Sequence, residues 1–416
     1  MRFTNKLLPA MFAAAAFITS CQIRNIETDV VTGDTREYLT IEDAKAEVED
    51  ILNDIYLHQT KASESEIVRT VSSCKSVKGP DSKGQGENDI YIINFSDSLG
   101  FALMSSKRDI GLLCLTLKGH LESLEDCNET LGTVLPYLEN YSAAGGGIPG
   151  GGLGPDDDLV CVFGDWENIY YEPTYGYCQV KWGQGDPYNS YCPSEDGIKC
   201  PTGCVAVAVA QLMSIYRYPA SYGGHTYTWW KMILNPRNRD DNNTIIAANL
   251  MADLGESDNL AVSYHSNLSS ASPLNIPSTF ENFGYTSGGS NLTYNSGSLA
   301  QELQNGYPAL VYGSAIRTAT ASGYTYNDNH IWLVHGLLVR RQLVSYYVNG
   351  VLRNSDYLTY NYLLCNFGWD EDCDGFYAAG AFDTNAGPSF DDIDTRSQGQ
   401  QGYYRYNMGM ITGIRR

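Results

Sequence analysis

Cys204 stands in a setting that suits a nucleophile. Thr202 and Gly203 precede it, and small apolar residues follow from Val205 to Ala210. The continuation through Gln211, Leu212, Met213 and Ile215 predicts a buried helix with Cys204 in its first turn. Unpaired backbone N–H groups and the helix dipole at that end favour a thiolate over a thiol. A thiol attacking a carbonyl needs a base to take its proton, and the base needs a third group to fix its ring. His330, at the start of a predicted strand over residues 329–336, is the candidate base. Asn366, closing a predicted strand ahead of the Gly368-Trp369 turn, is the candidate for orienting the imidazole. Gln184 lies in an upstream loop fixed by Gly183, Gly185 and Pro187, where its amide can complete an oxyanion hole. Taken singly, a cysteine among apolar residues is more often a packing or disulfide residue. The order Gln, Cys, His, Asn, with the cysteine well upstream of the histidine, makes chemistry the better reading. His335 is five residues beyond His330 and faces differently, so it is expected to be packed or hydrogen-bonded.

The rest of the chain must position these groups. At 416 residues it is long enough for two or three domains. Its net charge of −21 argues against nucleic acid as a partner. Arg2 and Lys6, then a short apolar run to Ile18 and the sequence Ile18-Thr19-Ser20-Cys21, read as a bacterial lipoprotein leader over residues 1–21 with Cys21 as the lipidated residue. The chain is therefore expected to be exported, as a cell-envelope lipoprotein at the outer membrane or cell surface or secreted after processing, with the membrane reached through the lipid anchor. Residues 22–142 are expected to form a small α+β domain. Its helix runs from about residue 40 to 58, and a hairpin joins residues 90–95 to 101–105 across a turn at 97–100. Residues 143–158, rich in Gly and Pro, read as an exposed linker open to proteolysis. Residues 159–416 are the expected catalytic domain.

Eleven cysteines suit export. Six of them, Cys161, Cys178, Cys192, Cys200, Cys365 and Cys373, allow fifteen pairings into three disulfides. Cys192 and Cys200 bracket the loop before Cys204, and Cys365 and Cys373 flank the Gly-Trp turn. No Cys-x-x-Cys occurs and histidines are few, so no metal site is expected. Asp370, Asp372, Asp374 and Gly375 resemble the start of a calcium loop, but Ala381 stands where its closing Glu belongs. These carboxylates are expected to form a solvated turn.

Three blocks together resemble the streptopain-like C10 family of bacterial cysteine peptidases: Gln184 with Pro187-Tyr188-Asn189, Thr202 to Met213, and His330 with Asn366, Gly368 and Trp369. Phe367 stands where the family usually has Trp, Asn329 and Asp370 replace glycines, and His335 replaces an Asp. The resemblance implies a papain-like two-lobed catalytic domain, part helical and part antiparallel sheet, preceded by a propeptide. It implies a zymogen whose propeptide is an intramolecular inhibitor, and protein or peptide substrates with a bulky apolar residue two positions before the cut. Cys204 is then nucleophile, His330 general base and acid, Asn366 the orienting group and Gln184 part of the oxyanion hole, with Trp369 and Gly368 touching substrate and no cofactor required. The rival readings are a non-catalytic adhesin or inhibitor-like protein on a papain-like scaffold and a transglutaminase-like acyl transferase. The intact Gln, Cys, His and Asn set disfavours the first, and Asn366 in place of an Asp disfavours the second.

Overall fold

The computed structural model describes residues 38–59, 67–78, 89–108, 110–126, 134, 158–234, 241–320, 323–382 and 404–416. The expected leader with Cys21 and residues 143–157 of the expected linker lie outside the described residues. Helix α1 spans Ile41–Gln59. Thr40 and Asp43 start it reciprocally: the Thr40 N–H donates to Asp43 Oδ2 (2.9 Å) and the Asp43 N–H to Thr40 Oγ1 (3.2 Å). Ala44, Val48, Ile51, Leu52 and Ile55 form the buried stripe that their spacing predicts.

An antiparallel run of β1 (Val71–Lys78), β2 (Asp89–Phe95), β3 (Phe101–Ser105) and β4 (Leu112–Thr116) follows. The expected hairpin is β2–β3. Gly100 closes it with a φ of +121°, its carbonyl accepting the Phe95 N–H (2.9 Å), and the Thr116 carbonyl leaves no room there for a Cβ. Strand β1 carries Ser and Lys at most positions, so no apolar period announces it.

Among the remaining elements are β5 (Leu159–Tyr171), α2 (Cys204–Tyr216), α3 (Asn242–Gly255), α4 (Ile276–Asn282), β6 (Ser287–Thr293), α5 (Ser296–Gln304), β7 (Ala309–Thr320), β8 (Gly323–Val348), β9 (Val351–Asn366), β10 (Gly375–Ala378) and β11 (Tyr406–Arg415). These strands and β1–β4 build one sheet, ordered β1-β2-β3-β4-β10-β9-β8-β7-β11-β6, with β5 also on β8. The long β8 organises it. One edge pairs with β9; the other pairs with β7 over its first half and β5 over its second.

Alternation along β8 feeds two cores. Ile331 and Leu333 face α2 together with Leu310, Ile411 and Ile414. Trp332 and Val334 face the other way, toward Val311, Leu363 and Phe367. No described helix is long and apolar enough to cross a membrane.

The architecture is α+β, and its N-terminal part extends the sheet of the C-terminal part. Strand β4 pairs with β10 at Thr116↔Gly375, Leu115↔Phe376 and Cys114↔Tyr377. Helix α1 covers a third core with Leu338, Tyr360 and Tyr362. Buried Arg340 on β8 donates from Nε to Asn168 Oδ1 (3.0 Å) and pairs with Glu47 of α1 (3.4 Å), while Asn168 donates to Asp54 (2.7 Å).

The expected disulfides are corrected. Cys178, Cys192, Cys200 and Cys365 are free thiols, and Cys161 is disulfide-bonded. Hydrogen bonds close the 192–200 loop instead: the Cys200 N–H donates to the Pro193 carbonyl (3.0 Å), and Ser194↔Lys199 begins a two-strand ladder.

The β4–β10 seam is tight. A Cβ at Gly375 would run into the Leu115 carbonyl oxygen. Gly375→Ala is therefore expected to lower stability by about 1–3 kcal/mol and to speed amide exchange in β4. Unchanged denaturation and a fully protected β4 would contradict this account of the seam.

Candidate active site

Gly203 starts α2 with a φ of +86°, and the Ser269 carbonyl oxygen approaches where a Cβ would stand. Only glycine serves both demands. The helix then buries every residue from Val205 to Tyr216 and ends at Arg217 in the left-handed region. Val-Ala alternation thus makes a helix here because it is packed all round, as its length predicts.

The Cys204 side chain sits against the backbone N–H groups of Ile331, Val205 and Cys204 itself. Ile331 is the residue after His330, so the helix start meets β8 at the candidate base. These amides favour the thiolate, but burial is the larger effect and pushes the Cys204 thiol above its ordinary range. The expectation of a resting thiolate is corrected to that extent.

His330 is not at the start of its strand. Strand β8 begins seven residues earlier, and His330 marks where its exposed portion gives way to its buried one. Burial lowers its pKa to about 4. Trp369 stacks on the imidazole with centroids 4.5 Å apart, and Tyr404 lies at 5.6 Å. Phe367 stacks with the same ring farther off, at 6.2 Å.

The ring is oriented differently from expectation. His330 Nε2 lies 2.9 Å from the Phe367 carbonyl oxygen. A carbonyl can only accept, so Nε2 carries the hydrogen and Nδ1 is the basic nitrogen of the neutral ring. Asn366 has other partners. Its Oδ1 accepts from Gln211 Nε2 (2.6 Å) and from the Gly368 N–H (3.0 Å), and its Nδ2 donates to the Val180 carbonyl (3.3 Å). Asn366 therefore acts on His330 through the turn that carries Phe367, without a bond to the ring among the described contacts. Gln211, two helical turns beyond Cys204 on the same face, was legible only as a polar residue in an apolar helix.

Gln184 is held beside the nucleophile's own segment. Its carbonyl accepts the Thr202 N–H (2.9 Å), and Asn189 Nδ2 donates to the Cys200 carbonyl (3.0 Å). The Gln184 side chain is half-buried, with no hydrogen-bond partner among the described residues. The Asp370 carboxylate packs where a Gly183 Cβ would stand, which ties this loop to the turn after Trp369.

Gly368 packs against α2. It is buried with a φ of +70°, and a Cβ there would strike Val207 of α2 at 2.8 Å. The acidic turn is also not simply solvated. Asp372 pairs with Lys118 (2.8 Å), Glu371 with Lys181 (2.6 Å), and Asp374 Oδ1 accepts the Phe367 N–H (2.9 Å). No group of three or more metal-binding side chains occurs among the described residues. His335 is packed as expected: Tyr177 meets it edge-on, the Cys178 N–H donates to its Nδ1 (3.1 Å), and burial lowers it to about 3.

Thiol, imidazole and adjoining amides thus meet at one helix–strand junction. Residues 182–377 match the family model described as the Peptidase C10 family, a match that supports a cysteine-type peptidase. Among solved structures, the chain is similar to a Prevotella intermedia prointerpain A fragment at 16% identity, covering 83% of this chain and 99% of that one with a TM-score of 0.49. It is also similar to active wild-type interpain A cysteine protease from the same organism at 20% identity, covering 58% and 94% with a TM-score of 0.37. No curated protein matches the chain.

Both buried histidines are neutral in the fold, whereas the unfolded chain protonates them near pH 6.5. Their contribution to stability is intact above pH 6.5 and is lost as pH falls toward 4 for His330 and 3 for His335. The melting temperature is expected to fall steeply between pH 6.5 and 4, and His335→Asn to flatten part of that fall. A flat wild-type profile across this range would contradict neutral burial.

Proposed function

We propose that the chain is a cysteine endopeptidase made as a precursor, with Cys204 as nucleophile and His330 as its base. The observation that carries this is the junction of α2 with β8: the Cys204 thiol lies against the Ile331 amide, next to an imidazole whose Nε2 is already engaged. Nδ1 is then the nitrogen left to exchange a proton with sulfur.

As Cys204 attacks a peptide carbonyl, its proton passes to His330. The Gln184 amide and the Cys204 backbone N–H receive the developing oxyanion. His330 returns the proton to the leaving amine, and water then hydrolyses the thioester. The chemistry asks for no cofactor. The accessible part of half-buried Trp369 is offered to substrate beside the imidazole, while Asn366 steadies the turn from Phe367 to Trp369.

The precursor reading is supported by the β4–β10 pairing and by α1 on the third core, which join residues 38–126 to the peptidase. The Gly-rich stretch over 143–158 is the expected place of cleavage. Lipidation at Cys21 would place the enzyme at the bacterial envelope.

Cys204→Ala is expected to abolish peptide hydrolysis with the fold intact, and a peptidyl epoxide to label wild type at Cys204 in preference to the other free thiols. Gln184→Ala is expected to lower kcat by about 10²–10³-fold. Incubating the purified precursor beside Cys204→Ala and sequencing new N-termini tests processing within 143–158. Undiminished hydrolysis by Cys204→Ala would overturn the assignment.

A further inference from the structure

The turn after β9 does more than close the strand. Phe367 offers its carbonyl to His330 Nε2 (2.9 Å) and its N–H to Asp374 Oδ1 (2.9 Å). The Asn366 side chain holds the preceding and following positions through Gln211 and the Gly368 N–H. The backbone between them is sharply wound: Gly368, Asp370, Glu371 and Cys373 all have positive φ. Such a segment does not keep its shape on propensity alone, since three of these residues carry side chains. Asp374 is the side chain that reaches back across the turn and ties its end to its beginning.

We infer that Asp374 is a positioning residue for the Cys204–His330 chemistry, holding Phe367 so that its carbonyl faces the imidazole. This rests on the reading of Cys204 and His330 as the reacting pair. Asp374 touches neither residue in this role; it acts through the Phe367 backbone. Its own environment fits a fixed acceptor. Burial pushes its carboxyl up to about 8, with Glu371 and Asp372 adding to that rise and the Phe367 N–H and Lys118 opposing it. Either an acid or an amide at this position can therefore accept the Phe367 N–H, and a full charge is not what the geometry asks for.

The outer end of the same turn is gripped by the N-terminal part of the chain. The Leu117 N–H donates to the Asp374 carbonyl (2.8 Å), and Arg69 holds the Leu117 carbonyl from Nη2 (3.0 Å). Lys118 Nζ reaches the Asp370 carbonyl (2.9 Å) and Asp372 Oδ1 (2.8 Å). Asp374 is thus where the segment upstream of residue 126 meets the residue that orients the base.

The test uses the full-length chain and its processed product, comparing Asp374→Ala and Asp374→Asn with wild type. One readout is the rate at which a neutral epoxide alkylates Cys204, mapped by peptide analysis. The other is hydrolysis of a peptide, separated into kcat and KM. Asp374→Ala is expected to slow alkylation and lower kcat by at least tenfold with KM within twofold, and Asp374→Asn to recover both to within threefold of wild type. A folded Asp374→Ala with both rates unchanged, or an Asn variant as impaired as Ala, would overturn the inference. Should the alanine variant fail to fold, Asp374→Ser replaces it; its short hydroxyl is expected to leave both rates at least fivefold below Asn, and equality with Asn counts against the inference. Hydrolysis surviving in Cys204→Ala would instead sink the underlying assignment of the reacting pair. Loss in Cys204→Ala with wild-type behaviour in every Asp374 variant would sink this inference alone.

Discussion

The site depends on one hydrogen bond, from His330 Nε2 to the Phe367 carbonyl. Because the acceptor is a carbonyl, the bond selects the tautomer as well as the ring's angle, and it leaves Nδ1 basic. A side-chain amide at the same place could rotate; a backbone carbonyl moves only with the turn that carries it. The surrounding structure therefore acts on that turn. Asn366 and Gln211 pin its inner side to α2, Gly368 lets it press on Val207, and Trp369 folds over the imidazole.

A second constraint is electrostatic and has a single cause. Withdrawal from water raises the Cys204 thiol and lowers the His330 imidazole, both toward the uncharged form. Burial thus acts on both groups in the same sense, against charge separation. The helix-start amides pull the other way but are outweighed.

Much of this was legible in the residues. Gly203 before a Val-Ala run marked both the helix and its first residue, and the order of Gln184, Cys204, His330 and Asn366 identified the elements that meet. Helix α1 and the β2–β3 hairpin followed from spacing and turn chemistry. The bonds between those elements were not legible. A main-chain carbonyl has no signature in side-chain identity, so Phe367 was passed over in favour of its amide-bearing neighbour. Asp374 looked like one of several solvated acids, because sequence does not say which member of an acidic turn points inward. The β4–β10 pairing joins strands far apart in the chain, and no local period encodes such a pairing. The cysteine spacing likewise suggested a Cys192–Cys200 cross-link, where hydrogen bonds close the loop instead.

The β4–β10 ladder carries a consequence for how the two parts of this polypeptide come apart. Scission of the backbone between Asp126 and Leu159 leaves the ladder, the Glu47–Arg340 pair and the shared apolar core where they are. Cleavage and dissociation are thus distinct events with separate rates. The freshly nicked molecule is held together by what the cut leaves intact, so its lifetime is independent of the protease that made the nick.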